Sequence, residues 1–305
     1  MNGGPEGSAA CGRQTRYTAS AMQGVLAPVL TPFDRDLNPD APRYVRFCQS
    51  LLDQGCDALA PFGTTSEANS LSLEERERLL DALLESGIAA AKLVPGTGCC
   101  ALPDTVRLSR KVARAGCAGV LMLPPFYYKN LTEEGLYRSF AQAIDGVAEP
   151  RLRVYLYHIP QVSNVPIPLR VIERLLKAYP RVVVGIKDSS GDFENTRAML
   201  RAFSSFEVFV GSEKFLLANL REGGAGCITA TANVNAAAIA RAFRERTEEH
   251  QRDIDAVRSA FEKLPLIAAL KEELARRTGD ASWRIVRPPL VELTLEQRAS
   301  LADAL

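Results

Sequence analysis

With 305 residues, the chain has room for one large domain or two small ones, and 47% hydrophobic against 24% charged residues is the balance of a globular protein with a full core. Lysine and arginine (37) nearly cancel aspartate and glutamate (36), so the net charge of +1 supplies no global field for nucleic acid or an anionic membrane. Seven cysteines without CxxC spacing, and only two histidines, His158 and His250, argue against a disulfide framework, a zinc site or a multi-histidine metal centre.

Residues 1–21 are rich in Gly, Ser, Ala and Arg, lack the apolar core of a signal peptide, and read as a flexible N-terminal extension. No apolar run approaches the ~20 residues of a spanning helix. Small cysteines beside Gly or Ala are expected to be buried free thiols in a reducing compartment, which makes the cytoplasm the expected location. From Gln23 onward, eight short apolar runs are strand candidates: Gly24–Leu30, a run closing at Leu59–Phe62, Lys92–Pro95, Gly119–Leu123, Arg153–Tyr157, Val182–Lys187, Phe206–Val210 and Gly226–Thr229.

Helix-period segments lie between them. Ser72 with Glu75 spells a capping box, and Leu79, Leu80, Leu83 and Leu84 form the stripe behind it. Asp104, Asp192 and Ser212 are further cap candidates, while Gly116 and Gly223-Gly224 are stops. This alternation predicts an α/β fold, a (β/α)8 TIM barrel over 22–240, with a doubly wound open sheet as the alternative. Residues 241–305, with apolar positions at Ile254, Val257, Phe261, Leu270 and Leu274, read as a C-terminal helical appendage.

Active sites of such barrels lie at the C-terminal ends of the strands, and the chemistry-bearing residues fall there. Lys187 ends Val182–Ile186 and precedes the turn Asp188-Ser189-Ser190-Gly191-Asp192. At that rim an amine is partly desolvated, which disfavours the ammonium form and prepares attack on a ketone; a snorkelling lysine is the bland alternative. Gly63-Thr64-Thr65-Ser66-Glu67 follows the second strand, either as an anion cradle for a small carboxylate or as an ordinary turn. Tyr157, at the end of the fifth strand, is a proton shuttle or a core tyrosine; His158 is read as a satisfied side chain on the opposite face. Tyr127 and Tyr128, on a Pro-flanked loop, suit a partner surface, a substrate wall or local packing. Gly211-Ser212-Glu213 follows the seventh strand, where Glu213 binds substrate hydroxyls or favours a helix N-terminus.

Together with Thr31-Pro32-Phe33, Gly223–Ile228 and Arg287-Pro288-Pro289-Leu290, these stretches resemble the dihydrodipicolinate synthase/N-acetylneuraminate lyase family of class I, pyruvate-dependent aldolases. The likeness runs from about Gly24 to Leu290. It implies a lyase in which Lys187 forms an imine with pyruvate, Tyr157 transfers protons, Thr64 links Tyr157 to a Tyr128 from a neighbouring subunit, and Thr65 holds the pyruvate carboxylate. Gly63, Ile228, Ser189, Gly211 and Glu213 complete the implied substrate site. The resemblance further implies a homotetramer built as a dimer of dimers, with no metal and no organic cofactor beyond the covalent imine. One departure bears on substrate: family members acting on aspartate semialdehyde carry Arg five residues after the tyrosine, where this chain has Val162. The expectation is therefore reversible aldol cleavage or condensation of a 2-oxo acid, preferably a keto-deoxy sugar acid or a 4-hydroxy-2-oxo acid. Dihydrodipicolinate synthase proper, a keto-deoxy sugar acid dehydratase and a non-catalytic 2-oxo acid binding barrel are the alternatives.

Overall fold

The computed structural model describes residues 22–305; the expected extension at 1–21 lies outside the described residues. Seven strands form one sheet: β1 (Gly24–Ala27), β2 (Ala58–Leu59), β3 (Val120–Met122), β4 (Val154–His158), β5 (Val183–Asp188), β6 (Glu207–Val210) and β7 (Gly226–Ile228). Their order is β2-β1-β7-β6-β5-β4-β3 and every pairing is parallel. Parallel neighbours require crossovers, and helices supply them. In chain order these are α1 (Ala41–Asp53), α2 (Leu73–Glu85), α3 (Leu102–Arg114), α4 (Glu133–Val147), α5 (Pro160–Ser163), α6 (Leu169–Ala178), α7 (Phe193–Ala202), α8 (Leu216–Arg221) and α9 (Ala232–Glu245). Three more follow, α10 (Glu248–Phe261), α11 (Leu266–Thr278) and α12 (Leu295–Ala304). The architecture is a TIM-barrel-like α/β fold. The expected boundary at residue 240 falls inside α9.

Lys92–Pro95 departs from expectation. Ala90–Lys92 is a 3-10 turn, and the chain beyond it makes only isolated bridges, Leu93 to Leu59 and Gly96 to Leu121. Pro95 has no N–H to give to a ladder, which limits regular pairing there. The two bridges nevertheless connect the sheet edges β2 and β3, so the sheet curls back on itself.

Period-two alternation divides the interior. Leu26, Leu121, Tyr155, Tyr157, Phe209 and Ile228 belong to an inner cluster. Their neighbours Val25, Ala27, Leu156, Ile186, Val208 and Val210 pack outward with the helices. Ser72 and Glu75 form the expected capping box on α2, and Asp192 caps α7 through the Glu194 N–H at 2.9 Å. Two cap expectations fail. Helix α3 starts ahead of Asp104, with Ala101 flanking it and Pro103 in its first turn, where a missing N–H costs nothing. Ser212 precedes a 3-10 turn closed by the Phe215 N–H on the Ser212 carbonyl, and its hydroxyl caps nothing. Cys56, Cys117 and Cys227 are buried free thiols, as expected, and so is Cys48; burial pushes Cys56 and Cys117 up to about 12, far from thiolate reactivity. Cys100 is exposed. No helix among the described residues is long and apolar enough to cross a membrane.

Candidate active site

The β4–β5 register decides the centre of the site. Tyr157 stands opposite Lys187, and His158 opposite Asp188. Paired residues share a sheet face, so Tyr157 and Lys187 both point into the barrel while His158 and Asp188 point away. The Lys187 Nζ lies 3.3 Å from the Tyr157 hydroxyl and 4.4 Å from its ring centroid. That hydroxyl is in turn 3.3 Å from Thr64 Oγ1. Both Lys187 and Tyr157 are at most 4% exposed, yet both line a cavity of about 490 Å3. Three polar groups from β5, β4 and the loop after β2 thus form one hydrogen-bonded row on its floor.

The loop after β2 is a tight one. The Ser66 and Ala68 N–H groups donate to the Gly63 carbonyl, and the Glu67 N–H to that of Thr64. The N–H groups of Thr64 and Thr65 make no hydrogen bond among the described residues. Phe62 and Glu67, at φ 62° and 56°, bracket the loop in the left-handed region; such backbone persists only where its surroundings hold it.

What holds it is a buried ionic node. The Glu67 carboxylate accepts from Lys271 Nζ and, at 2.9 Å, from the Arg287 N–H. Lys271 also donates to the Ile285 carbonyl at 2.7 Å and lies 4.5 Å from the Phe33 ring centroid. Arg287 reaches Glu75, the Ser70 and Leu37 carbonyls, and the face of Phe33. Burial lowers Lys271 to about 8, against the pull of Glu67. Phe33, Glu67 and Arg287, far apart in sequence, therefore belong to one structural unit that ties the threonine loop to the C-terminal helices. Lys271 was missed by sequence reasoning, because a lysine in a helical stripe carries no local sign of burial.

The other expected residues divide. Thr65, Ser189 and Gly211 line the cavity. Gly211 is required there, since a Cβ would come 2.0 Å from Ser189 Oγ. Neither Gly63 nor Ile228 lines the cavity, and Ile228 is fully buried in β7. Glu213 is 0% exposed and does not line the cavity; its carboxylate accepts from the Thr229 and Thr231 hydroxyls. The threonines follow β7, and nothing in the sequence ties them to Glu213. Tyr128 is 70% exposed on its loop and lies off the cavity of its own chain. His158 is buried, as read, with Nδ1 accepting from the Ile167 N–H at 3.1 Å. Burial lowers it below the usual imidazole range, against the pull of Asp188.

Sequence reasoning also missed the upper wall. Arg258 of α10, Pro265–Ala268 and Pro289–Val291 line the same cavity. Only the last stretch carried a signal, as the motif around Arg287. Among the described residues no group of three His, Cys, Asp or Glu side chains converges as a metal ligand set.

Comparison with known proteins agrees with this geometry. A DapA-like lyase of Chloroflexus aurantiacus is 35% identical over 291 residues, covering 92% of this chain and 95% of that one. The 4-hydroxy-tetrahydrodipicolinate synthase of Bacillus subtilis is 30% identical, covering 92% and 97%. The crystal structure of dihydrodipicolinate synthase from Agrobacterium tumefaciens superposes with a TM-score of 0.85 at 30% identity, over 92% of this chain and 97% of that one. The model of the dihydrodipicolinate synthetase family matches residues 21–305, and the chain belongs to that family.

Proposed function

We propose that this protein is a class I lyase that makes or cleaves a 2-oxo acid through an imine between Lys187 and pyruvate. The row Lys187–Tyr157–Thr64 on the cavity floor carries the reading. Membership of the family, and relatives named as synthases and lyases, support it. Thr64 and Thr65, with their open N–H groups, receive the pyruvate carboxylate and fix the ketone beside the amine. Lys187 Nζ attacks that carbonyl, and Tyr157 passes the proton to the leaving oxygen as water departs. The cationic imine withdraws electrons from the adjacent methyl carbon, which loses a proton to give an enamine. The enamine carbon attacks an aldehyde carbon, the new C–C bond forms, and the aldehyde oxygen takes a proton by way of Tyr157. Water then hydrolyses the imine, releasing a 4-hydroxy-2-oxo acid and the free amine. Cleavage is the reverse.

The eight-fold barrel, with α10–α12 as an appendage over its mouth, belongs to this reading, as does a cytoplasmic homotetramer. Tyr127 and Tyr128 support the oligomer: 73% and 70% exposed, with ring centroids 5.4 Å apart, they offer an aromatic contact to a second copy. In that assembly Tyr128 extends the row to Thr64 of a neighbouring subunit. Borohydride reduction with saturating pyruvate tests the chemistry. A stable adduct mapped to Lys187 is expected, and an unmodified Lys187 would overturn the reading.

A further inference from the structure

The carbonyl partner of pyruvate is the open term of this reaction, and the cavity rim bears on it. Val162, Phe215, Leu266, Ile267, Leu290 and Val291 line the cavity above its polar floor. Val162 and Val291 are 57% and 74% exposed, large aliphatic side chains that the fold itself leaves uncovered. The six come from four stretches of chain: the turn after β4, the turn before α8, the start of α11, and the segment before α12. They converge only around the cavity.

Charge points the same way. Besides Lys187, the lining cation is Arg258. Its Nε is 3.0 Å from Glu262 and its Nη1 is 3.5 Å from Glu213. Glu262 also pairs with Lys214. Two cations and two carboxylates cancel, so this wall has no net positive charge to attract a second substrate carboxylate. Val162 supplies none from the β4 side. A hydroxyl buried against these six side chains finds no partner among them.

Resting on the imine reading of Lys187, we infer that the aldehyde component carries an apolar alkyl or aryl substituent. The rim covers that substituent while the C–C bond forms at the floor. The product class is a 4-hydroxy-2-oxo acid with an apolar tail.

The test uses the full chain, pyruvate and three aldehydes: benzaldehyde, D-glyceraldehyde and succinic semialdehyde. Pyruvate consumption and product mass are followed, with borohydride trapping run in parallel. The expected result is a kcat/KM for benzaldehyde roughly tenfold or more above both others, the scale on which an apolar pocket discriminates. Any other ranking, with the pyruvate adduct present on Lys187, overturns this inference alone. Absence of the adduct overturns the imine reading and this inference with it. The double variant Val162→Ser, Val291→Ser changes only exposed side chains, and the rim predicts that it lowers the benzaldehyde value roughly tenfold while leaving adduct formation unchanged. An unchanged benzaldehyde value would remove the rim from substrate recognition.

Discussion

Two lysines are buried among the described residues, and they sit in different company. Lys187, at the end of β5, is 4% exposed, lies over the Tyr157 ring, and has the phenol hydroxyl as its polar partner. Lys271, on α11, is 0% exposed, lies over the Phe33 ring, and is met by the Glu67 carboxylate and a backbone carbonyl. Burial and an aromatic neighbour are common to both. The counter-charge and the open cavity are not. A buried ammonium with a carboxylate is held in place as a strut, whereas an amine beside a phenol on a cavity floor suits the proposed attack on a ketone. Desolvation alone, then, does not distinguish a nucleophile from a structural cation.

The contrast breaks most visibly at the proposed nucleophile. Lys187→Ala is expected to lower turnover on the order of 10^4-fold or more, with an unfolding midpoint close to that of the parent, because the side chain makes one hydrogen bond. Residual activity near the parent level would remove Lys187 from the chemistry. Lys271→Met should do the reverse. Leaving Glu67 buried without its cation is expected to cost about 3–5 kcal/mol in denaturant unfolding. Adding Glu67→Gln should restore part of that loss, and a double variant as unstable as the sum of the singles would deny the pairing. Tyr157→Phe keeps the ring and removes the hydroxyl, so kcat should fall about 10^2- to 10^4-fold with little change in stability. An unaltered kcat would make Tyr157 a packing residue.

The smallest effect is in the pH dependence of stability. Burial lowers Lys271 to about 8 in the folded protein, against roughly 10.4 for a free lysine. Between those values the unfolded chain holds more protons at this group, so its contribution to stability rises with pH across that window. Comparing unfolding of the parent with the Lys271→Met, Glu67→Gln variant isolates the term. A difference that stays flat or falls from pH 8 to 10 would mean that Glu67 keeps the ammonium fully charged.

Legibility in the sequence followed the range of the interactions. Strands β4 and β5 were read almost to the residue, since alternation and chain-local apolar runs set them. The Ser72–Glu75 box was read correctly because both of its hydrogen bonds close within four residues. Lys92–Pro95 was misread as a regular strand, because its pairing depends on what the sheet edges leave open. The burial of Glu213 was not legible, because the hydroxyls that occupy it arrive 16 and 18 residues later. Lys271 meets Glu67 across 204 residues, beyond any local pattern.

What the chain determined by its own order of residues was the alternating α/β plan, the lysine at a strand end, the tyrosine one strand away, and the threonine turn. Each rests on periodicity or on steric preference within a few residues. Folding decided the β4–β5 register that brings the amine to the phenol, the ionic node that braces the threonine loop, and the rim of the cavity. Those depend on contacts between segments far apart in the chain, whose partners are chosen only when the sheet curls and brings those segments together.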